Sequence, residues 1–419
     1  MPPVAGSFAT TDWVGMECLR FLENMLAAAG YANYGYQDEF KKKFAVGDTV
    51  RVKFPQEYLV TDGFAYNPQG INRLTTNITI DQPMQIGFGY DSIEEALELE
   101  RSQDEISEQY IRPAVGQLAS EIELRFMNYA FFNTPNVVGT LGAIPTAWTT
   151  YATARQRMVE LATFARNKNV MAVTPAMMRT MIANQLTQFN PTDAISQQYK
   201  EGSMGRAAGY DWFESMYCHR HTTGVITTQT SVTVNGAGQS GSTLNLNCTT
   251  GDTFLRGDII SVGANYVNPR TKVSTGTERQ FVVLTNATGA ASVVSLNIYP
   301  AIVGPGSPYQ NVDALPGALA AVTFWPGTTI TNGAASTGMC GLAFNKLAFA
   351  IAGVELMMPK EGGNVKMAVQ KKDKNTGLSI AIISMFEGEN RTQINRLDFL
   401  GGFGTLYGDR AAVRVASLS

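Results

Sequence analysis

The feature that most constrains this chain is a change of period in its middle. Up to about residue 221, and again from about residue 342, apolar residues recur at helical spacing between short strand-like runs. Between those points helical periodicity is absent, and the chain turns rich in Thr, Ser, Gly, Asn and Val. Runs such as STLNLNC, GDIISVG, QFVVLTN and SVVSLNIYP are separated by turn signals. Short strands punctuated in this way predict a compact β-barrel or sandwich. The mixed pattern resumes at LAFNKLAFAIAGVELMMP, so the β-rich block reads as an insertion within an α/β framework. A chain of 419 residues can build roughly two or three such cores.

The framework opens with Trp13, Val14, Met16, Leu19, Phe21, Leu22, Met25 and Leu26 at helical spacing, ahead of Gly30. This predicts an amphipathic helix over 11–29 with Asp12 as N-cap and a glycine stop. With little chain beside it, that helix must dock on its own body or on a neighbouring subunit. Two period-two runs follow, VRVKFP at 50–55 and TTNITID at 75–81, around a stretch holding Gly63, Phe64, Tyr66, Asn67, Pro68 and Gly70. They predict a two-stranded β-arm with a long tip. A lone ribbon is marginal in water, so the arm needs another surface.

Ser92 and Glu95 have capping-box spacing, and apolar residues from Ile106 to Tyr129 predict a long helix over 104–132. Pro113 is expected to kink or split it. A helix over 149–166, a strand over 169–173 and a helix starting at Pro175 continue the mixed pattern. Near the end, NRLDFLGGFGTLYGDRAAVRVA reads as two strands. Gly401, Gly402 and Gly404 are expected to supply the bends between them, because Gly tolerates φ > 0.

Little in the chain points to chemistry. Formal net charge is −3, and the longest basic cluster, Lys41 to Lys43, adjoins Asp38 and Glu39. A protein that captures nucleic acid through phosphates carries a basic stripe, which is missing here. Lining a compartment that holds DNA remains compatible with this balance; reading its sequence does not. No apolar run reaches the ~18 residues of a membrane span, and MPPVAGSFATTDW has no secretory pattern, so a soluble cytoplasmic product is expected. Cys18, Cys218, Cys248 and Cys340 lie far apart with no CxxC pair, which predicts buried, reduced thiols.

His219 and His221 flank Arg220 next to Cys218 and invite a zinc reading. In an extended segment both histidines share a face, Cys218 falls away from them, and no motif nominates a fourth ligand. A strand leaving one domain for the next explains them better. The nucleophile elbow, the phosphate-binding loop and H-E-x-x-H are absent. Glu121 and Glu123 are expected on the solvated face of the long helix. The methionines, Met177, Met178, Met181, Met357 and Met358 among them, suit adaptable packing. The expectation is a protein without catalytic residues, cofactor or metal.

Residues 257–302, GDIISVGANYVNPRTKVSTGTERQFVVLTNATGAASVVSLNIYPAI, resemble the inserted β-domain of coat proteins of the phage P-twenty-two type. YIRPAVGQLASEIELRF (110–126), AAGYDWFES (207–215), LAFNKLAFAIAGVELMMP (342–359) and NRLDFLGGFGTLYGDRAAVRV (395–415) resemble the same group in the same order. The resemblance runs from about Val46 onward. It implies an α+β chain with the tailed-phage major capsid fold and an inserted all-β, barrel-like domain. On that fold, 1–45 is the N-terminal arm, 46–82 the extended β-loop and 83–148 a peripheral domain with the spine helix. Residues 149–221 and 339–385 form the axial domain, 222–338 the insertion, and 386–419 C-terminal strands returning to the body.

The implied function is a shell subunit that self-assembles around phage double-stranded DNA; an encapsulin-like compartment and a tail tube are the alternatives. Implied partners are coat subunits in hexamers and pentamers, a scaffolding protein and a portal, with a decoration protein left open. Assembly is expected in the host cytoplasm and residence in the virion capsid, without a membrane. Trp13, Leu19, Leu22, Phe64, Tyr66, Asn67 and Pro68 are the expected inter-subunit contacts.

Overall fold

The computed structural model describes residues 11–36, 49–60, 63–64, 68–71, 74–91, 111–163, 168–186, 204–325, 335–360, 363–372, 378–388 and 392–417. The chain divides into two compact units. Met1–Val52, Thr76–Phe126 and Ala350–Gly404 make the first; Lys53–Thr75, Met127–Phe349 and Thr405–Ser419 make the second. Among the described residues, no helix is long and apolar enough to cross a membrane.

The first unit is built on a five-stranded sheet. Its central strand, Thr392–Thr405, pairs antiparallel with Ser379–Glu387 on one side and with Gln82–Asp91 on the other. Val365–Lys372 adds beyond Ser379–Glu387. The helix Thr11–Met25 packs on these last two strands. Cys18, Leu22 and Leu26, spaced by one helical turn each, are its buried positions. Leu22 is 2% exposed, so the terminal helix finds its burial on its own chain and Leu22 is withdrawn from the expected inter-subunit contacts.

Glu123 secures the turn that follows this helix. Its carboxylate accepts the Ala28 N–H and, at 2.9 Å, the Ala29 N–H. It is 1% exposed, which corrects the expectation of a solvated face. Burial pushes its pKa up, and the amide hydrogen bonds offset only part of that. The helix that carries it is described as Arg112–Phe132 and includes Pro113. The expected start at 104 lies outside the described residues, as does the stretch ahead of Ile111 against which a kink at Pro113 would be judged.

The base of the β-arm is a two-stranded sheet of Thr49–Lys53 and Thr75–Thr79. Period two holds: Val50 and Val52 are buried while Arg51 and Lys53 are exposed. Ile78 is buried too, and the reason corrects the reading of the C-terminal glycines. Gly402 and Gly404 lie inside one continuous strand of 14 residues, without positive φ. A Cβ on Gly402 would stand 2.0 Å from the Thr79 carbonyl oxygen, and one on Gly404 2.5 Å from Ile78 Cγ1. These glycines permit close approach; they do not turn the chain.

The second unit contains a seven-stranded mixed sheet in the order Val137–Gly139, Ala412–Ala416, Thr337–Asn345, Asn169–Val173, Tyr210–Glu214, Arg206–Ala207, with His219–Thr222 also on Thr337–Asn345. The helices Trp148–Glu160 and Pro175–Leu186 supply Tyr151, Met158, Met177, Met178 and Met181 to its core, beside Met171, Trp212 and Val413. The first of these helices ends six residues before the expected 166. Leu161, Ala162 and Thr163 donate to the carbonyls of Arg157, Val159 and Met158 with Ala162 at φ 57°, a Schellman ending with Ala where Gly is usual.

The β-rich block is a barrel. Six strands run in the order Thr323–Trp325, Ile259–Val267, Ser274–Val283, Val293–Ile302, Gly241–Asn247, Thr233–Val234. The circle closes because Val234 N–H donates to Ala320 (2.9 Å), Leu319 to Val234 (3.0 Å) and Val322 to Val232 (3.3 Å), just ahead of Thr323. Closure leaves no free edge between those strands. Inside are Leu244, Leu246, Phe254, Ile260, Val262, Phe281, Leu296, Ile298 and Phe324. Entry and exit strands pair with each other, Thr222 opposite Thr337, their hydroxyls 2.9 Å apart.

Candidate assembly surface

The expected tip contacts lie on the arm between its two strands, all within the second unit. Phe54 starts this stretch, with its ring edge-on to Tyr407 at 5.0 Å. Leu59 N–H donates to Gln69 Oε1 at 2.9 Å while Gln69 Nε2 donates back to the Leu59 carbonyl, and Gln56 Nε2 reaches the Gly70 carbonyl at 2.8 Å. Two glutamine side chains thus replace the strand ladder where it stops, and they hold the two limbs of the arm together.

Glu57 fastens the arm to its surroundings. Its carboxylate accepts from Lys272 Nζ at 3.2 Å and from Arg410 Nη1. Lys272 sits in the turn between two barrel strands, which Asn268 shapes by accepting the Arg270 and Thr271 N–H groups and donating to the Glu160 carbonyl. Arg410 belongs to the short helix Gly408–Ala411, tied down by Asn136 Nδ2 to the carbonyls of Asp409 and Ala412. Burial works against the Arg410 charge, but Asp409 and Glu57 more than offset it and raise its pKa.

Beyond this anchor the arm turns apolar and open. Val60 is 96% exposed, Ile71 77%, and Phe64 fully so; Tyr58 and Pro68 are exposed as well. Single exposed apolar residues are ordinary, but several on one anchored arm leave apolar area uncovered among the described residues. Tyr66 and Asn67 lie outside the described residues, as does the Trp13 side chain; Leu19 is half-buried. Phe64 and Pro68, expected from the sequence as contacts, are exposed, whereas Glu57 was not singled out there. Its partners lie 215 and 353 residues away, so no local signal marks it.

The histidine pair belongs to a different structure, the root of the barrel. Both rings face Phe131, His219 at 4.3 Å and His221 at 5.2 Å, while Arg220 is exposed. His221 Nε2 meets Asp258 Oδ1 at 2.8 Å, and Asp258 Oδ2 accepts the N–H groups of Gly224 and Leu255. His219 Nδ1 meets Asn128 Oδ1 at 2.6 Å. The Arg414 guanidinium lies 3.8 Å over Phe131 and donates to the Gly257 carbonyl. Gly257, at φ 100°, has ring atoms of Phe131, Phe132 and His221 within 3.0–3.1 Å of where a Cβ would stand, tighter than an ordinary contact. These side chains are engaged in packing, and among the described residues no group of His, Cys, Asp or Glu is arranged to hold a metal. Burial holds the Cys18, Cys218 and Cys340 thiols up at about 12.

The family model for the P22 coat protein (gene protein 5) matches residues 22–413. No curated protein matches the chain. Among solved structures, a chain of Mycobacterium phage Che8 is similar at 10% identity, covering 93% of this chain and 90% of that one, with a TM-score of 0.48. The mature capsid of bacteriophage PhiM1 is similar at 9% identity over 100% and 90%, TM-score 0.41. The CUS-3 coat protein I-domain is 26% identical over 23% of this chain and 96% of that one, TM-score 0.19.

Proposed function

The chain belongs to the P22 coat protein family and is a phage major capsid protein, and we propose that its copies join through the tip of the β-arm. The observation that carries this is the contrast along one arm: a root clamped by Glu57, Gln56 and Gln69, and a tip whose Phe64, Val60 and Ile71 stand open. Covering such residues on a sister molecule removes apolar area from water, at about 25 cal/mol per Å². Repeated at every contact of a shell, a modest gain per tip is enough.

Membership in the family supports the rest of the reading. The N-terminal arm, extended loop, spine helix, peripheral and axial domains would take the ranges given above, with hexamers and pentamers as the assembled units. A scaffolding protein during assembly in the host cytoplasm, a portal at one vertex and double-stranded DNA inside would be the partners, with no catalytic step asked of the chain.

The test is electron microscopy of concentrated protein. Wild-type chain is expected to give closed shells. Phe64→Ser is expected to remain folded by circular dichroism, because its side chain is fully exposed in the monomer, and to lose most of its particles. Normal yields of normal shells from that variant would take the tip out of the assembly.

A further inference from the structure

We propose that Glu57 is a positioning residue for assembly, which fixes the direction of the arm by clamping it at once to the barrel and to the C-terminal short helix. The proposal rests on the shell reading and adds the device that gives each tip the same aim. Seven positions separate Glu57 from Phe64, which bounds the reach of the tip beyond the clamp at roughly 23 Å, the length of a fully extended chain. At that lever a tilt of ~10° moves the tip by about 4 Å, more than a packed contact tolerates. A two-stranded ribbon does not hold such an angle by itself. Its direction must be set at the root.

Glu57 is suited to this because it closes a chain of charge contacts within the second unit. Arg410 also pairs with Asp409 at 3.6 Å, and Asp409 with Arg279 at 3.3 Å. Arg279 and Arg157 lie over the Tyr266 ring at 4.7 and 4.4 Å, and Arg157 stands 3.9 Å from Glu160. The cations Arg157, Lys272, Arg279 and Arg410 thus face the carboxylates Glu57, Glu160 and Asp409. Removing Glu57 leaves four cations to two carboxylates in a largely buried place, where charges are weakly screened. Lys272 Nζ also donates to the Pro308 carbonyl at 2.5 Å, and Thr163 Oγ1 to the Arg410 carbonyl at 2.6 Å. The Lys272 ammonium and the Arg410 main chain are therefore held on the body, and the arm is the element that Glu57 aligns.

The experiment compares wild type, Glu57→Gln, Glu57→Asp and Lys272→Met by hydrogen exchange of unassembled protein and by particle diameter in electron micrographs. Glu57→Gln is expected to raise exchange at residues 54–60 on the order of tenfold. Its particles should still form, because Phe64 is intact, but with a broad mixture of diameters and open sheets. Glu57→Asp, which keeps the charge, should recover part of the uniformity, and Lys272→Met should fall between the two. Should Glu57→Gln not fold, Lys272→Met decides. Uniform shells of wild-type diameter from the deciding variant, or unchanged exchange at 54–60, would overturn the proposal. Wild-type protein that forms no shells would instead defeat the shell reading, and the proposal with it.

Discussion

His219 and His221 face the same ring, yet their surroundings differ, and one of them should report on acid. Burial first, then the neighbouring His221 and Arg414, push the His219 pKa down to about 4 from an ordinary 6.5. The unfolded chain therefore binds a proton between those values that the folded chain refuses. Stability from this group is full above pH 6.5 and is lost as pH falls toward 4. Urea unfolding at steps from pH 7 to 5, above most carboxylates, should show falling stability, and His219→Gln should flatten the slope; equal slopes would remove His219 as the cause. Alternation in the sequence was enough to put both histidines on one face and Arg220 on the other. Their partners Asn128 and Asp258 could not be read, being 91 and 37 residues away. The glycines near 402 failed differently: a bend and a close approach leave the same letter in the sequence, and only the position of Thr79 separates them.

At the scale of elements, periodicity found the helices and strands but not their ends or their partners. The helix Trp148–Glu160 ends where it does because Ala162 takes a left-handed turn that no glycine announced. An L-residue pays ~1 kcal/mol or more for that conformation. Ala162→Gly should therefore stabilise the protein by about 0.5–1 kcal/mol, whereas Ala152→Gly, mid-helix, should cost about as much. Chemical denaturation of the two variants checks the opposite signs; a loss at both positions would refute the left-handed ending. The terminal helix was legible as amphipathic, but its mate was not. The helix meets strands from the far end of the chain, with Cys18 and Leu22 buried, and Glu123 sits on a helix that looked solvated by charge alone.

At the scale of the molecule, the inserted block was visible in composition because an all-β core selects different residues from a mixed one. Its closure was not, since it depends on residues 232–234 meeting 319–322. The two units were equally hidden, each being stitched from three distant stretches. The barrel's construction nevertheless predicts what it does alone. Its interior cluster draws wholly on residues 226–324 of the block itself, and its two ends are already joined, Thr223 N–H to the Ser336 carbonyl at 2.9 Å and Ser336 N–H to Thr223 Oγ1 at 3.0 Å. A piece spanning 223–336 should therefore fold, with a cooperative thermal transition. It will not be indifferent to the loss of its neighbours. Ile259, Val282, Tyr299 and Trp325 pack outward with Phe131, Val137, Leu141, Cys340 and Ala416, and excision bares that face. Such a patch drives association, so sedimentation should find the wild-type piece self-associating and Val282→Thr shifted toward monomer. A piece with no cooperative transition would mean that the barrel borrows its stability from the sheet it is inserted into.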